Sequence, residues 1–327
     1  MKKEILVYCE QRDGVLQNVS LELLGIATQL AEQCGQTVSA MLLGYNVKPL
    51  AQTLIEYGAE KVYVAEYKNL EKYLTEQYAQ AANQIITDTQ PNIVLFPATS
   101  IGRDIAPRLS ARLHTGLTAD CTKLEADADG NLFMTRPAFG GNLFATIICP
   151  DHKPQMSTVR PGVMQKNKPD KSRTGEIVNV KVSFDTSKFA VKIVEEKVEK
   201  AQGTDISEAK LLVSIGRGAK NNLKQAKQLA EVLGAEVSCS RAIVDEGILP
   251  QANQVGQTGK TVRPQLYLAA GISGAVQHLA GMSDSEMIVA INKDKNATIF
   301  NVAHLGIVGD ANEILPLLTK EVKKLKH

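Results

Sequence analysis

The sequence contains no tryptophan, and aromatic residues make up only 5% of its 327 residues. Proteins that bind single-stranded nucleic acid stack the bases on aromatic side chains, so this scarcity argues against that class. The formal net charge of +2 is too small to attract nucleic acid or an anionic membrane surface. We therefore expect neither nucleic acid nor a membrane as a partner.

Cysteine and histidine are also scarce, with five residues of each. The cysteines form no C-x-x-C pair and their number is odd, so we expect free thiols in a reducing compartment. The histidines show neither H-x-x-x-H nor H-E-x-x-H spacing, and we expect no metal site.

Long apolar runs are absent too, and no stretch approaches the length needed to span a bilayer. The N-terminal segment MKKEILVYCE has a short apolar run that ends at Glu10, which predicts a first β-strand rather than a signal peptide. We expect a soluble cytoplasmic protein. The composition, 44% apolar and 22% charged, is that of an ordinary globular protein with room for about two domains.

Short apolar strands alternate with helical segments in the first part of the chain, which is typical of βαβ units and a parallel sheet. The predicted strands there are EILVYCE, TVSAMLLGY, KVYVAEY and NIVLFPA. In residues 116–194, turn pairs (DG at 129–130, GG at 140–141) separate alternating segments and predict antiparallel hairpins. The charged stretch 194–210 predicts a linker with a boundary near residue 203. The expected domains are 1–203 and 204–327.

The alternation of strands and helices returns in the second domain, for which we predict a doubly wound parallel sheet. Its predicted strands are KLLVSIG, EVSCS, PQLYLAAG, EMIVAINK and TIFNVAHLGIVG. Glycine-rich or polar segments follow these strands, and such strand ends form the ligand crevice of an open α/β sheet. Because several of these segments converge on one sheet edge, they predict a site for a large, phosphate-bearing ligand.

The segment GISGA (271–275) also resembles the G-x-S-x-G nucleophile elbow of serine hydrolases. Ser273 would then be the nucleophile, with Asp310 and either His304 or His278 as partners. The required order Ser–Asp–His fails, because the only histidine after Asp310 is the terminal residue His327. An α/β serine hydrolase is therefore the weaker hypothesis.

The run GQTGKTVRPQLYLAAGISGAVQHLAGMSDSEMIVAINKDKNATIFNVAHLGIVGD (256–310) resembles the signature region of the electron transfer flavoprotein alpha subunit. The segments SIGRGAK (214–220) and SRAIVDEGILP (240–250) carry the same resemblance. Two stretches of the first domain, 102–122 and 136–164, are similar to that family's N-terminal blocks. The resemblance thus covers nearly the whole chain.

The resemblance implies an electron carrier rather than a stand-alone enzyme. Members of the family are heterodimers that take electrons from flavin dehydrogenases, such as the acyl-CoA dehydrogenases of fatty acid oxidation, and pass them to a redox acceptor. The N-terminal domain would pack on the beta subunit. Two alternatives stay open for that subunit, AMP or a second FAD, and with the second the complex would oxidise NADH and bifurcate electrons.

The resemblance also implies non-covalent FAD on the second domain. The turn 272–275 would cradle the pyrophosphate, with Gly274 allowing close approach, and His278 would donate a hydrogen bond to the flavin pyrimidine. Thr258 matches the residue that hydrogen-bonds flavin N5. The implied FAD-binding residues are Arg217, Ser240, Arg241, Val255, Gly256, Gln257, Thr258, Ser273, Gly274, Ala275, Val276, Gln277, His278, Asn292 and Asp310.

Overall fold

The computed structural model describes residues 3–138, 143–196, 205–207 and 209–325. The chain forms two compact units, Met1–Glu196 and Lys197–His327. The boundary predicted near residue 203 lies outside the described residues, as does most of the predicted linker. In the described part of the chain, no helix combines the length and the apolar composition that crossing a membrane requires. All five cysteines are free, as the sequence predicts.

The first unit contains twelve strands and four helices. The strands are β1 (Glu4–Cys9), β2 (Gln11–Arg12), β3 (Val15–Leu16), β4 (Thr37–Gly44), β5 (Lys61–Glu66), β6 (Ile93–Pro97), β7 (Leu117–Cys121), β8 (Lys123–Ala126), β9 (Leu132–Ala138), β10 (Leu143–Ile147), β11 (Gln155–Val159) and β12 (Glu176–Asn179). The helices are α1 (Asn18–Cys34), α2 (Ala51–Glu56), α3 (Thr75–Thr89) and α4 (Ser100–Arg112). These counts refer to the described residues.

Seven parallel strands make up the main sheet of this unit, in the order β12-β5-β4-β1-β6-β11-β7. The central strand β1 is buried along its whole length, as expected for a strand covered on both faces. Its residues Ile5 and Val7 pack in one core with α1 and α2, whereas Leu6 and Tyr8 pack in a second core with α3 and α4. The four strands predicted from the first apolar runs are confirmed as β1, β4, β5 and β6.

Residues 116–194 fold only partly as predicted. Strands β8, β9 and β10 form the expected antiparallel sheet, in the order β10-β9-β8. Strands β7, β11 and β12, however, join the parallel sheet. The prediction of hairpins throughout this region was wrong for these strands. Their pairing partners lie tens of residues away, and local alternation of apolar residues cannot reveal such pairing.

The second unit contains five strands and four helices among the described residues. The strands are β13 (Leu211–Ile215), β14 (Glu236–Cys239), β15 (Leu266–Ala270), β16 (Met287–Asn292) and β17 (Leu305–Val308). The helices are α5 (Leu223–Leu233), α6 (Arg241–Asp245), α7 (Val276–Leu279) and α8 (Ala311–Leu325). One predicted strand, TIFNVAHLGIVG, is shorter than expected, because Thr298–Asn301 forms a 3-10 turn before β17.

The five strands form a parallel sheet in the order β14-β13-β15-β16-β17. Helices α5, α6 and α8 cover one face, where Val213 and Leu268 pack against Ala226 and Leu315. The other face carries mainly loop segments, with Tyr267 among the buried residues there. From β13 the chain first continues to β14 on one side of it and then crosses to β15 on the other side. The order of the strands therefore reverses next to β13, and a ligand crevice forms at the carboxyl ends of the strands at such a switch point.

Candidate functional site

A cleft of about 450 Å³ lies at the carboxyl ends of β13, β14, β15 and β16. Its volume is in the range of small-molecule binding sites. The residues that line it are Arg217, Gly218, Ser240, Ala242, Gly271, Ser273, Asn292, Asp294, Asn296, Ala297 and Thr298. The cleft therefore occupies the sheet edge where the polar strand-end segments were expected to converge.

Three consecutive backbone N–H groups lie beside this cleft, those of Ser273, Gly274 and Ala275. None of them donates a hydrogen bond to any residue in the described ranges, and we call these groups the amide row. Backbone N–H groups that the fold leaves unpaired need an acceptor from water or from a ligand. A run of unpaired N–H groups is a recognised anion-binding arrangement, so the amide row suits a phosphate group.

The segment 292–299 holds the carbonyl oxygens of the same three peptides. Asn292 Nδ2 donates to the Ile272 oxygen (2.9 Å), the Ile299 N–H to the Ser273 oxygen (3.0 Å), and the Thr298 hydroxyl to the Ser273 (2.9 Å) and Gly274 (2.8 Å) oxygens. The C=O and N–H of a planar trans peptide point in opposite directions. Because the three C=O groups point toward the segment 292–299, the N–H groups of the amide row point away from that segment. The amide row is therefore free to bind a ligand.

Gly274 permits this arrangement because it has φ +88° and lies against the 298–299 backbone. A Cβ at this position would come within 2.2 Å of the Ile299 nitrogen. Helix α7, which follows, has only four residues, so its dipole contributes little. The predicted helix-terminus contribution is thus small, and the amide row itself provides the donors.

A second loop packs beside α7. The Gln257 N–H donates to the Gln277 oxygen (2.7 Å), and a Cβ on Gly256 would meet that same oxygen at 2.8 Å. Thr258 is exposed at the tip of this loop, and its hydroxyl accepts a hydrogen bond from Gln254 Nε2 (2.9 Å). Because the Gln254 amide binds a lone pair of the Thr258 hydroxyl oxygen, the hydrogen of that hydroxyl stays available for an acceptor on a ligand.

His278 is buried in the core of the second unit, with only 7% of its surface exposed. It is not among the residues that line the cleft. The Tyr267 hydroxyl lies 2.7 Å from Ser214 Oγ and 3.0 Å from His278 Nε2, and the tautomer of the ring decides whether Nε2 donates or accepts. Burial lowers the pKa of His278 to about 4, and the backbone of Val255 offsets only part of this effect.

The other ring nitrogen of this histidine, Nδ1, is buried and forms no well-aligned hydrogen bond. The single hydrogen of the neutral ring sits on Nε2 or on Nδ1, and the contact with Tyr267 is compatible with both. The expectation that His278 donates a hydrogen bond to the flavin stays a prediction.

The remaining predicted residues divide between the cleft and its margin. Arg217, Ser240 and Asn292 line the cleft together with Ser273. Arg241 begins α6, is 69% exposed in its side chain, and approaches Asp245 at 3.5 Å. The margin also includes Val255, buried in the core, and the exposed residues Ala275, Val276 and Gln277.

Asp310 lies at the same sheet edge, next to Asn292, because the Gly309 N–H donates to the Asn292 oxygen (3.0 Å). Its carboxylate forms an ion pair with Lys293 (2.7 Å) and accepts hydrogen bonds from Asn312 at the start of α8. The hydrogen bond from Lys293 lowers the pKa of Asp310. The side chain thus already has partners within the chain.

Seven residues that line the cleft were not predicted from the sequence, and three of them have polar side chains: Asp294, Asn296 and Thr298. The prediction missed Thr298 because TIFN was interpreted as the beginning of a strand. Asp294 and Asn296 belong to the loop KDKN (293–296) after β16, and its exposed polar residues carry no signal that distinguishes a site from a solvated turn.

The structure does not support the hydrolase hypothesis for Ser273. His278 Nε2 contacts Tyr267, and His304 Nδ1 accepts from the Ile288 N–H (3.0 Å). Asp310 contacts Lys293 rather than a histidine. Within the described ranges, moreover, no three His, Cys, Asp or Glu side chains come together as a metal site.

Two protein-family models match the chain. The electron transfer flavoprotein domain matches residues 5–185, which is more than half of the chain. The electron transfer flavoprotein FAD-binding domain matches residues 205–283, which include the cleft residues from Arg217 to Ser273 and the amide row.

Similar full-length proteins carry corresponding names. The electron transfer flavoprotein subunit alpha of Thermoanaerobacterium thermosaccharolyticum is 50% identical over 326 residues, covering 99% of each chain. The protein of the same name from Megasphaera elsdenii is 49% identical and covers 99% of this chain and 97% of its own. The lactate dehydrogenase (NAD(+),ferredoxin) subunit LctC of Acetobacterium woodii is 41% identical, covering 96% of this chain and 75% of its own.

Proposed function

Because the chain belongs to the electron transfer flavoprotein alpha-subunit family, we propose that it is the FAD-carrying subunit of a two-subunit electron carrier. Residues 205–283 match the family's FAD-binding domain. When bound, FAD supplies the redox chemistry, and the protein supplies binding, orientation and electrostatics. The observation that carries the proposal is the amide row at the edge of a cleft lined by Arg217.

In this proposal the amide row and Arg217 hold the pyrophosphate. Asn292, Asp294 and Asn296 provide acceptors and amide donors suited to the hydroxyl groups of the adenosine half. In the same proposal, the free hydroxyl hydrogen of Thr258 donates to the flavin ring. The cleft lining in the described ranges has one carboxylate, that of Asp294, and no histidine, which suits a carrier better than an acid–base enzyme.

Denaturing the purified two-subunit complex should release FAD at no less than one molecule per alpha chain. Arg217→Gln should weaken FAD binding roughly 10- to 100-fold, because a hydrogen bond to a charged group contributes about 1.5–3 kcal/mol. Lys220→Gln removes the same charge from the same turn without touching the cleft, and should leave binding unchanged. Bound NAD or ATP with no flavin would overturn the proposal.

We propose that the antiparallel sheet of the first unit contributes to the surface that binds the beta subunit. Strand β10 is an edge strand whose residues are mostly exposed, including Leu143 (58%) and Phe144 (69%), and Ile148 just beyond it is also exposed (53%). An apolar edge strand of this kind invites pairing with another chain. A permanent partner would cover it.

Phe144→Ser should therefore weaken the heterodimer roughly 10- to 100-fold, since a buried aromatic anchor contributes on the order of 2 kcal/mol or more. Leu317→Ser on α8 is a matched control, because Leu317 is 61% exposed in the second unit. The measurement is the dissociation constant of the two subunits. Equal affinities for both variants and the unaltered protein would place the interface elsewhere.

The electron donor has two alternatives. One is a flavin dehydrogenase such as an acyl-CoA dehydrogenase, which would place the protein in fatty acid oxidation. The other is NADH, an alternative supported by the relative whose name includes NAD(+) and ferredoxin. Reduction of the complex by an acyl-CoA dehydrogenase with its substrate tests the first alternative, and anaerobic reduction by NADH tests the second.

A further inference from the structure

Thr298 makes two contacts with the backbone behind the amide row. Its hydroxyl lies 2.9 Å from the Ser273 oxygen and 2.8 Å from the Gly274 oxygen. The Ser273 oxygen also accepts from the Ile299 N–H, so it keeps a partner if the hydroxyl is removed. For the Gly274 oxygen, the Thr298 hydroxyl is the one donor among the described residues.

This dependence matters because Gly274 has no Cβ to restrict its backbone. Glycine populates many φ/ψ combinations, and without a fixed carbonyl the peptide that joins residues 274 and 275 can rotate. Rotation of that peptide would carry the Ala275 N–H out of the amide row. Thr298 itself is held firmly, because it begins a 3-10 turn that the fully buried side chain of Ile299 anchors.

We propose that Thr298 is a positioning residue for the cofactor: its hydroxyl fixes the orientation of the 274–275 peptide and so completes the amide row. This inference rests on the proposed FAD site. The hydroxyl has a single hydrogen, which the two carbonyl oxygens share. Its loss should weaken FAD binding by roughly 3- to 10-fold, the effect of one neutral hydrogen bond.

The test compares three variants of the two-subunit complex after FAD is removed and added back. Thr298→Val keeps the shape of the side chain but lacks the hydroxyl, whereas Thr298→Ser keeps the hydroxyl. Thr319→Val is the matched control, because the Thr319 hydroxyl donates to the Leu315 oxygen within α8 (2.8 Å), away from the cleft. The measurement is the FAD dissociation constant from the quenching of flavin fluorescence.

The expected result is weaker binding for Thr298→Val, with Thr298→Ser and Thr319→Val within twofold of the unaltered protein. Equal binding by Thr298→Val would overturn the proposal, as would a Thr298→Ser variant as weak as Thr298→Val. Thr298→Ala is a second variant without the hydroxyl. If neither it nor Thr298→Val folds with the unaltered melting temperature, the hydroxyl supports the fold and the proposal is wrong. An unaltered complex that takes up no FAD would instead refute the proposed function.

Discussion

Gly274→Ala should remove FAD from the protein, with an affinity loss of about 30-fold or more. The added Cβ would lie 2.2 Å from the Ile299 nitrogen and 2.6 Å from its Cα, and both are backbone atoms that no side-chain rotation can move. The φ of +88° adds strain for any residue other than glycine. Together these effects should cost about 2–5 kcal/mol, and the turn can escape them only by distorting the amide row.

The matched control is Gly234→Ala at the end of α5. Gly234 also has a positive φ, +73°, but its Cβ would meet nothing within 4 Å. This variant should lose about 1 kcal/mol of stability and keep its FAD. Flavin content and the melting temperature of the purified complex measure both effects. Normal flavin content in Gly274→Ala would show that the 273–275 turn does not hold the cofactor.

Acidification should begin to destabilise the second unit near pH 6.5, which is above the pH range in which carboxylates titrate. Burial lowers the pKa of His278 from 6.5 to about 4. Below pH 6.5 the unfolded chain therefore binds a proton at this residue that the folded chain does not bind. The contribution of His278 to the free energy of unfolding is fully present above pH 6.5 and is lost as the pH decreases toward 4. The loss between pH 7.5 and 5 should be about 2 kcal/mol.

His278→Gln should remove this dependence, because glutamine does not titrate and its amide can still form a hydrogen bond with Tyr267. Asp310, with a lowered pKa, contributes stability that is lost only below its ordinary value of 3.8, outside this pH range. Urea unfolding of the flavin-free protein at the two pH values measures the difference. The exposed His152 in the first unit offers a control, since His152→Gln leaves His278 in place and should keep the pH dependence. A pH dependence of the same size in His278→Gln would contradict the assignment.

Local sequence patterns determined much of the fold and part of the candidate site. Apolar runs predicted β1, β4, β5 and β6, because strands buried on both faces need continuous apolar residues. The glycine and small polar residues after each strand of the second domain predicted a cleft at one sheet edge, and Arg217, Ser240, Ser273 and Asn292 do line it together. The strand ends predicted only where the cleft lies, whereas the resemblance to the electron transfer flavoprotein alpha subunit implied the individual residues.

Only the tertiary structure decided which of the other residues face the cleft and which strands join which sheet. Strands β7, β11 and β12 join the parallel sheet through partners distant in sequence. His278 is buried against Tyr267, a contact that the sequence does not reveal. Thr298 supports the amide row across 24 residues of chain. The physical reason is common to all three: hydrogen bonds and desolvation depend on atoms brought together by folding, whereas periodicity and turn signals report only on neighbours along the chain.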